Sequence, residues 1–119
     1  MKDKFEVRPS KVSGLGLFAL EDVSWGTRLI AYTGERISNK ESNRREKFYD
    51  SIGVTYLFEV DDKWTIDGLV KGNISRFINH SNVKPNVCAI KDKGRIYFHA
   101  YTDIAKGDEL LFDYGFDPA

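Results

Sequence analysis

Gly72-Asn73-Ile74-Ser75-Arg76-Phe77-Ile78-Asn79-His80-Ser81 is the stretch of this sequence that decides the fold. It places an Asn-His pair directly after an apolar run, where polar side chains need either partners or a ligand. Further along comes a second run, Glu109-Leu110-Leu111-Phe112-Asp113-Tyr114-Gly115, which is apolar and strand-like and ends in Asp-Tyr-Gly. The pair and this ending are the first candidates for a functional site.

The bulk composition limits the class of protein. A chain of 119 residues with 41% hydrophobic and 13% aromatic residues is predicted to form one globular domain over residues 1–119. Eighteen basic and eighteen acidic residues cancel, so no net charge attracts nucleic acid or a membrane. The single cysteine, Cys88, excludes an internal disulfide and is expected to be buried. No apolar run approaches the roughly 18 residues of a membrane span, so we expect an intracellular, soluble protein.

Short strands separated by turn residues dominate the chain, with one helix among them. The helix is predicted over Asn39 to Asp50, because Ser38 can cap its start with Glu41 three residues on, and Gly53 stands just past its end. Strands are expected at Phe5–Val7, Leu17–Leu20, Arg28–Tyr32, Thr55–Val60, Lys63–Asp67, Val87–Lys91, Arg95–Ala100 and Glu109–Phe112, with hairpin turns at 60–63 and 91–95. The pattern predicts an α+β domain that is predominantly β.

A glycine motif near the N-terminus has two interpretations. Gly14 to Ala19 fits Gly-x-Gly-x-x-Ala, which also occurs in dinucleotide-binding folds when a helix opens on it. Here a strand-like segment and a turn follow Gly16, and no helix of a dozen residues fits before Gly26, so that interpretation fails. A turn remains in which missing side chains let the backbone approach a ligand. A plain tight turn explains the motif equally well.

The Asn79-His80 pair is the strongest single candidate for binding a ligand. Asn offers a donor and an acceptor, and neutral His offers one of each, which suits an adenine edge and a zwitterionic amino-acid tail. The alternative is that both side chains only satisfy backbone groups in an irregular core segment. A metal site is not expected, because His99 is the only other histidine.

Three further motifs occur in order between the ends of the chain. They are the glycine motif Gly14-Leu15-Gly16-Leu17-Phe18-Ala19, then Tyr32-Thr33-Gly34-Glu35, then Tyr56-Leu57-Phe58-Glu59-Val60-Asp61 with Ile66-Asp67-Gly68. With the Asn-His and Asp-Tyr-Gly stretches, they resemble the signature motifs of the SET-domain protein lysine methyltransferases, from about residue 5 to the end. The resemblance implies several small sheets of short strands with a C-terminal pseudoknot, in which the last segment passes through a loop around the Asn-His stretch.

The resemblance also implies S-adenosylmethionine as the cofactor. Ser13, Gly14 and Leu15 would contact it through backbone groups, and Asn79 and His80 would bind it as well. Many family members have Trp where this chain has Leu15, so stacking there would be weaker. Tyr56 would lie where the cofactor site meets the channel for the substrate lysine.

The tyrosines would supply the chemistry of methyl transfer to lysine. A free lysine has a pKa of about 10.4, so it is almost entirely charged at pH 7, and a narrow dry channel favours the neutral amine. Aromatic walls exclude water and tolerate a cationic product. By resemblance Tyr114 and Tyr32 are catalytic, and Tyr56, Phe112 and Phe116 line the lysine channel. Phe116 is the one aromatic candidate left to close its C-terminal side.

Phe112 carries a finer prediction about the product. In this family the residue two before the catalytic tyrosine is Tyr or Phe, and a Tyr can hold a water that limits the product to monomethyl-lysine. Phe112 has no hydroxyl, so the resemblance predicts di- or trimethylation.

Two rival functions were weighed against the methyltransferase. One is a catalytically silent peptide-binding module with the same fold, favoured by the missing C-terminal closure. The other is a small nucleic-acid-binding domain, disfavoured by zero net charge. The expected partner is a protein carrying the target lysine, such as a histone tail, which would place the chain in the nucleus or on chromatin. Direct binding to nucleic acid or membrane is not expected. A second copy of the chain, in a homodimer, is one way to complete the channel.

Overall fold

The computed structural model describes residues 4–113, and the contacts within the chain divide it into two compact units. The first unit comprises Met1–Ile30, Phe77–Ile90 and Tyr97–Ala119, and the second comprises Ala31–Arg76 and Lys91–Ile96. The strands are β1 Phe5–Pro9, β2 Leu15–Ala19, β3 Arg28–Tyr32, β4 Glu35–Ser38, β5 Leu57–Glu59, β6 Trp64–Asp67, β7 Asn79–His80, β8 Val87–Asp92, β9 Arg95–Ala100 and β10 Leu111–Phe112. The helix α1 is Asn39–Ile52, and Ile74–Phe77 forms one 3₁₀ turn.

In the first unit, β1 and β2 form an antiparallel hairpin with Phe5 opposite Ala19. The connecting loop is closed by a backbone hydrogen bond of 2.8 Å from Ser10 N–H to the Gly14 carbonyl. Gly14 has a φ of 47°, which glycine adopts without a steric penalty. The glycine motif therefore leads into a strand, as predicted, and no helix follows it.

A five-stranded sheet runs in the order β3-β9-β8-β10-β7, and most of it lies in the first unit. The two-residue strand β10 pairs in parallel with β7, so that Leu111 lies opposite Asn79 and Phe112 opposite His80. On its other side Phe112 pairs with Val87 of β8. The C-terminal strand thus lies beside the Asn-His pair, as the resemblance implied. The most buried apolar side chains of this unit are Leu17, Val87, Phe98, Ile104 and Leu110.

The second unit packs α1 against the sheet β4-β6-β5. The Ser38 side chain accepts a hydrogen bond of 3.2 Å from Glu41 N–H, and Gly53 ends the helix in the left-handed conformation. The predicted helix is confirmed and continues to Ile52. Strand β4 was missed by the sequence analysis, because Glu35–Ser38 contains one apolar residue and owes its conformation to pairing with β6.

The other predicted strands are present, most of them with shifted ends. Strand β7 was also missed, because its two residues carry no periodicity. Both predicted hairpin turns are present. Asp61 accepts hydrogen bonds from Lys63 and Trp64 N–H groups before β6, and Lys93 and Gly94 take positive φ values of 51° and 77° between β8 and β9. No helix within residues 4–113 is long and apolar enough to cross a membrane.

Candidate functional site

The loop from Ser10 to Leu15 is built around one hydroxyl group. Ser10 Oγ accepts hydrogen bonds from Val12 N–H at 2.9 Å and Ser13 N–H at 3.3 Å. A Cβ added at Gly14 would meet no atom within 4 Å, so the backbone at Gly14 borders open space. The loop is held from within while the outer face of its glycine stays accessible.

Asn79 joins this loop to strand β7. Its amide Nδ2 lies within hydrogen-bond distance of three acceptors, which share its two hydrogens: the carbonyls of Ser13 and Leu15, both at 3.0 Å, and Glu109 Oε2 at 2.9 Å. Within residues 4–113, Asn79 Oδ1 forms no hydrogen bond. The interpretation that Asn79 satisfies backbone groups is therefore correct for its nitrogen, while its oxygen remains able to accept a hydrogen bond from a ligand.

Glu109 was not among the residues that the sequence analysis selected. Its two carboxylate oxygens both lie 2.9 Å from Ser10 Oγ, and Oε2 also accepts from Asn79. A Cβ added at Gly16 would overlap this carboxylate. The second glycine of the motif is thus explained by Glu109. Glu109 begins the Glu-Leu-Leu-Phe run, but nothing in the sequence indicated that its side chain reaches the glycine loop.

His80 and Phe112 lie opposite each other in the parallel pairing of β7 with β10. His80 is exposed, whereas Phe112 is 6% exposed and packs edge-on against Phe98 with ring centroids 5.3 Å apart. The Phe112 carbonyl accepts a hydrogen bond from Ser81 N–H at 3.0 Å. The Phe112 ring is therefore held in place and presents an apolar surface.

In the second unit the structure brings Tyr32 and Tyr56 together. The buried Tyr32 hydroxyl donates to the Tyr56 carbonyl at 2.6 Å, and that carbonyl also accepts from Gly68 N–H at 2.9 Å. Gly68 has no room for a side chain, because an added Cβ would overlap the Tyr32 hydroxyl. The Tyr32 ring also contacts Phe58, with centroids 5.3 Å apart.

Beside these tyrosines lies a network centred on Arg45. Its guanidinium pairs with Glu35 at 2.6 Å, Glu41 at 2.8 Å and the fully buried Asp67 at 2.9 Å. Asp67 also accepts from the Tyr49 hydroxyl at 2.7 Å and from Leu69 N–H at 3.1 Å. These bonds raise the pKa of Arg45, and burial together with Asp67 raises the pKa of Tyr49 above its usual range. Asp67 therefore pairs with Arg45 and also accepts from the N–H group two residues further on.

The Glu41 carboxylate is at the exposed edge of that network. Hydrogen bonds from Arg44 and Arg45 lower its pKa from 4.5 to about 2. Arg76 donates to the Gly72 carbonyl at 3.2 Å. Cys88 is buried as predicted, and burial raises the pKa of its thiol.

The predicted site residues thus fall into two groups. Ser13, Gly14, Leu15, Asn79, His80 and Phe112 belong to the first unit, and Tyr32 and Tyr56 to the second. Tyr114 and Phe116, predicted as catalytic and channel residues, lie outside the described residues. No group of three or more His, Cys, Asp or Glu within 4–113 could hold a metal ion.

Comparison with known proteins identifies the class. The model of the SET domain family matches residues 14–115, and the chain belongs to that family. It is 39% identical to the histone-lysine N-methyltransferase, H3 lysine-4 specific, of Schizosaccharomyces pombe, over 97% of this chain and 13% of that protein. It is 42% identical to the histone-lysine N-methyltransferase set1 of Dictyostelium discoideum, over 95% of this chain and 8% of that protein.

Solved structures give the same class. The structure of ctPRC2 in an autoinhibited conformation bound to S-adenosylmethionine matches with a TM-score of 0.82 and 37% identity, covering 93% of this chain and 15% of that one. The predicted fold class is therefore confirmed. The chain spans less than a sixth of the length of these relatives.

Proposed function

We propose that this chain is an S-adenosylmethionine-dependent protein-lysine N-methyltransferase. The observation that carries the proposal is the orientation of the Asn79 amide, whose nitrogen is bonded to the carbonyls on either side of the accessible Gly14. The chain in which this occurs belongs to the SET family. Relatives named as histone-lysine N-methyltransferases, and a solved relative bound to S-adenosylmethionine, support the same activity.

The residues of the first unit fit this cofactor. S-adenosylmethionine carries an ammonium group and amine and hydroxyl donors, and Asn79 Oδ1 is an acceptor placed at the open side of the glycine loop. Ser13, Gly14 and Leu15 would contribute backbone groups, and the exposed His80 a ring nitrogen or its backbone. When bound, the cofactor supplies an electrophilic methyl group on a sulfonium.

The aromatic residues would receive and orient the substrate lysine. Phe112 and Tyr32 are buried and Tyr56 is half-buried, so each can exclude water and favour the neutral amine. The Tyr32 hydroxyl donates to the Tyr56 carbonyl, which fixes its direction. Tyr114 would be the catalytic tyrosine, and Phe116 would line the channel.

We further propose a protein substrate such as a histone, and a nuclear or chromatin location if that substrate is correct. We also propose a homodimer as the assembly. The prediction of one SET domain over residues 1–119 also stays a prediction.

The test is transfer of labelled methyl from S-adenosylmethionine to a panel of histones and a host-cell lysate, with mass spectrometry of each labelled band. Wild-type protein should label a lysine, and Tyr114→Phe should abolish the label. Cofactor binding by calorimetry without any transfer would favour the silent peptide-binding module. Absence of both binding and transfer would contradict the proposal.

Phe112 allows the product to be tested separately. A Phe112→Tyr variant adds a hydroxyl next to the amine site and should shift the products from di- and trimethyl-lysine toward monomethyl-lysine. The measurement is the ratio of methyl states on a labelled peptide. An unchanged ratio would mean that this position does not set the product.

A further inference from the structure

Glu109 is held at its backbone, and its side chain has a defined position next to Gly16. Its backbone is bound by Asn86, whose Nδ2 donates to the Glu109 carbonyl at 2.8 Å, and the next residue, Leu110, donates its N–H to the Leu17 carbonyl at 2.8 Å. Its side chain occupies the space that a Cβ at Gly16 would fill. Glu109 therefore reaches the glycine loop from a rigid base.

The partners of this carboxylate are neutral groups. Ser10 Oγ and Asn79 Nδ2 donate to it, and within residues 4–113 no Lys or Arg forms an ion pair with it. An ionised carboxylate only accepts hydrogen bonds. It therefore requires the hydroxyl of Ser10 and the amide nitrogen of Asn79 to point toward it.

This requirement sets the direction of the Ser10 hydroxyl and contributes to the orientation of the Asn79 amide. Because the Ser10 hydroxyl hydrogen goes to Glu109, the lone pairs of Ser10 Oγ are available to Val12 and Ser13 N–H. Because the nitrogen of Asn79 goes to Glu109, Ser13 and Leu15, its oxygen faces away from all three. The Ser13 and Leu15 carbonyls also only accept hydrogen bonds, so they favour the same orientation of the Asn79 amide as Glu109 does.

We propose that Glu109 is a positioning residue for the cofactor: its carboxylate, together with the Ser13 and Leu15 carbonyls, holds the Asn79 amide with the oxygen toward the ligand, and it keeps the Ser10–Leu15 loop closed. This inference rests on the proposed function. It assigns a role to a residue outside the predicted site and explains why Gly16 has no side chain.

The sharpest variant is Glu109→Gln, which keeps the shape and removes the charge. If the Gln oxygen faces Asn79, its NH₂ group faces Ser10 Oγ, whose lone pairs already accept from Val12 and Ser13. If the Gln is turned over, its NH₂ group faces the NH₂ group of Asn79. In the first orientation the Gln oxygen still accepts from Asn79 and Ser10, but its NH₂ group competes with Val12 and Ser13 for Ser10 Oγ. The second orientation loses the bond from Asn79, so both orientations weaken the network.

The experiment combines two readouts on the full chain. In the ligand-free protein, hydrogen exchange by NMR reports the Val12 and Ser13 amides and the side-chain amide of Asn79. Calorimetry reports the Kd of S-adenosylhomocysteine, a stable product analogue. For Glu109→Gln we expect exchange at Val12 and Ser13 to be at least about tenfold faster and the Kd to rise about tenfold or more.

Two further variants separate positioning from general stability. Ile104→Val trims a buried side chain of the same unit, away from the loop, and should leave both readouts unchanged relative to wild type. Ser10→Ala should speed exchange at Val12 and Ser13 but weaken the ligand less than Glu109→Gln, because Asn79 keeps its bond to Glu109. It also tests the loop if Glu109→Gln does not fold.

The outcomes distinguish this inference from the proposed function. A wild type that binds S-adenosylhomocysteine, together with a Glu109→Gln variant that binds equally well, would overturn the inference alone. Unchanged exchange at Val12 and Ser13 in both Glu109→Gln and Ser10→Ala would also overturn it. A wild type that binds no S-adenosylhomocysteine would overturn the proposed function and the cofactor role of Glu109 together.

Discussion

Two polar clusters in this chain use similar residue types in opposite ways. In the second unit, Arg45 pairs with Glu35, Glu41 and Asp67, and Asp67 is filled by bonds from Arg45, Tyr49 and Leu69. In the first unit, the Glu109 carboxylate accepts from Ser10 and Asn79, and within residues 4–113 the Asn79 oxygen has no hydrogen-bond partner. The Arg45 cluster is therefore closed, and the Glu109 cluster is open on one side.

The difference teaches how to separate a structural network from a binding site. A buried charge is stable when opposite charge and hydrogen bonds satisfy all of it, and Asp67 meets that condition while joining α1 to β6. An oriented, partly exposed side chain with one unused acceptor can accept from water or from a bound ligand. Changes to the closed cluster should therefore affect folding, and changes to the open one should affect binding.

The largest expected effect is at Asp67. Asp67→Ala leaves Arg45 without its buried partner and removes the acceptor of the Tyr49 hydroxyl, so the free energy of unfolding should fall by about 3 kcal/mol or more. Urea denaturation measures this. The control is Glu35→Ala, which removes a partly exposed partner of the same Arg45 and should cost less than about 1 kcal/mol. Equal losses for the two variants would mean that burial does not set the strength of the network.

Two glycine substitutions sharpen the contrast at intermediate size. A Cβ at Gly34 would overlap the backbone carbonyl of Asp67, which cannot move freely, so Gly34→Ala should destabilise the fold by about 1–3 kcal/mol. A Cβ at Gly16 would overlap the end of the Glu109 side chain and come within 3.1 Å of Ser10 Cβ. The Glu109 side chain can rotate away, but it then loses its hydrogen bonds to Ser10 and Asn79. Gly16→Ala should therefore cost less stability than Gly34→Ala but weaken cofactor binding.

Urea denaturation and calorimetric titration, made on both variants, check that pair of predictions. The methyl group added at Gly34 does not contact the loop of the first unit. The folded fraction of Gly34→Ala should therefore bind the cofactor with the affinity of wild type. The comparison would break down if Gly16→Ala bound the cofactor as well as wild type while losing as much stability as Gly34→Ala.

The smallest effect concerns pH. The pKa of Glu41 is lowered from 4.5 to about 2, so between these values the unfolded chain binds more protons than the folded one. The stability that Glu41 contributes is present above pH 4.5 and is lost as the pH falls toward 2. Glu41→Gln should flatten the stability profile in this window. The measurement is the urea midpoint from pH 5 to pH 2.5, and identical slopes for wild type and variant would contradict it.

Much of the fold could be predicted because its signals are local. The cap at Ser38, the Gly53 end of α1 and the alternation in β9 each depend on neighbours in sequence. Strand β7 could not be found, because its two residues gain their conformation from pairing with β10, more than thirty residues away. The same holds for β4, which is specified by its partner β6.

The candidate site was predictable where a motif marks it and not where contacts create it. Asn79 and the Gly14 loop were selected from the sequence, and the structure places them in hydrogen-bond contact. Glu109 was missed, because its partner Ser10 is almost the whole chain away and carries no pattern of its own. The fixed direction of the Tyr32 hydroxyl also depends on a long-range bond, to Tyr56.

The most direct test of the difference between the clusters is an NMR titration of the ligand-free protein with S-adenosylmethionine. We expect the Val12–Leu15 amides and the Asn79 side-chain amide to shift with the added ligand, while the Arg45 Nε–H resonance stays in place. Saturable shifts at the loop, with an unchanged Arg45 resonance, would support an open binding site in the first unit and a closed structural network in the second. Shifts at Arg45 without any at Asn79, or no shifts at all, would contradict it.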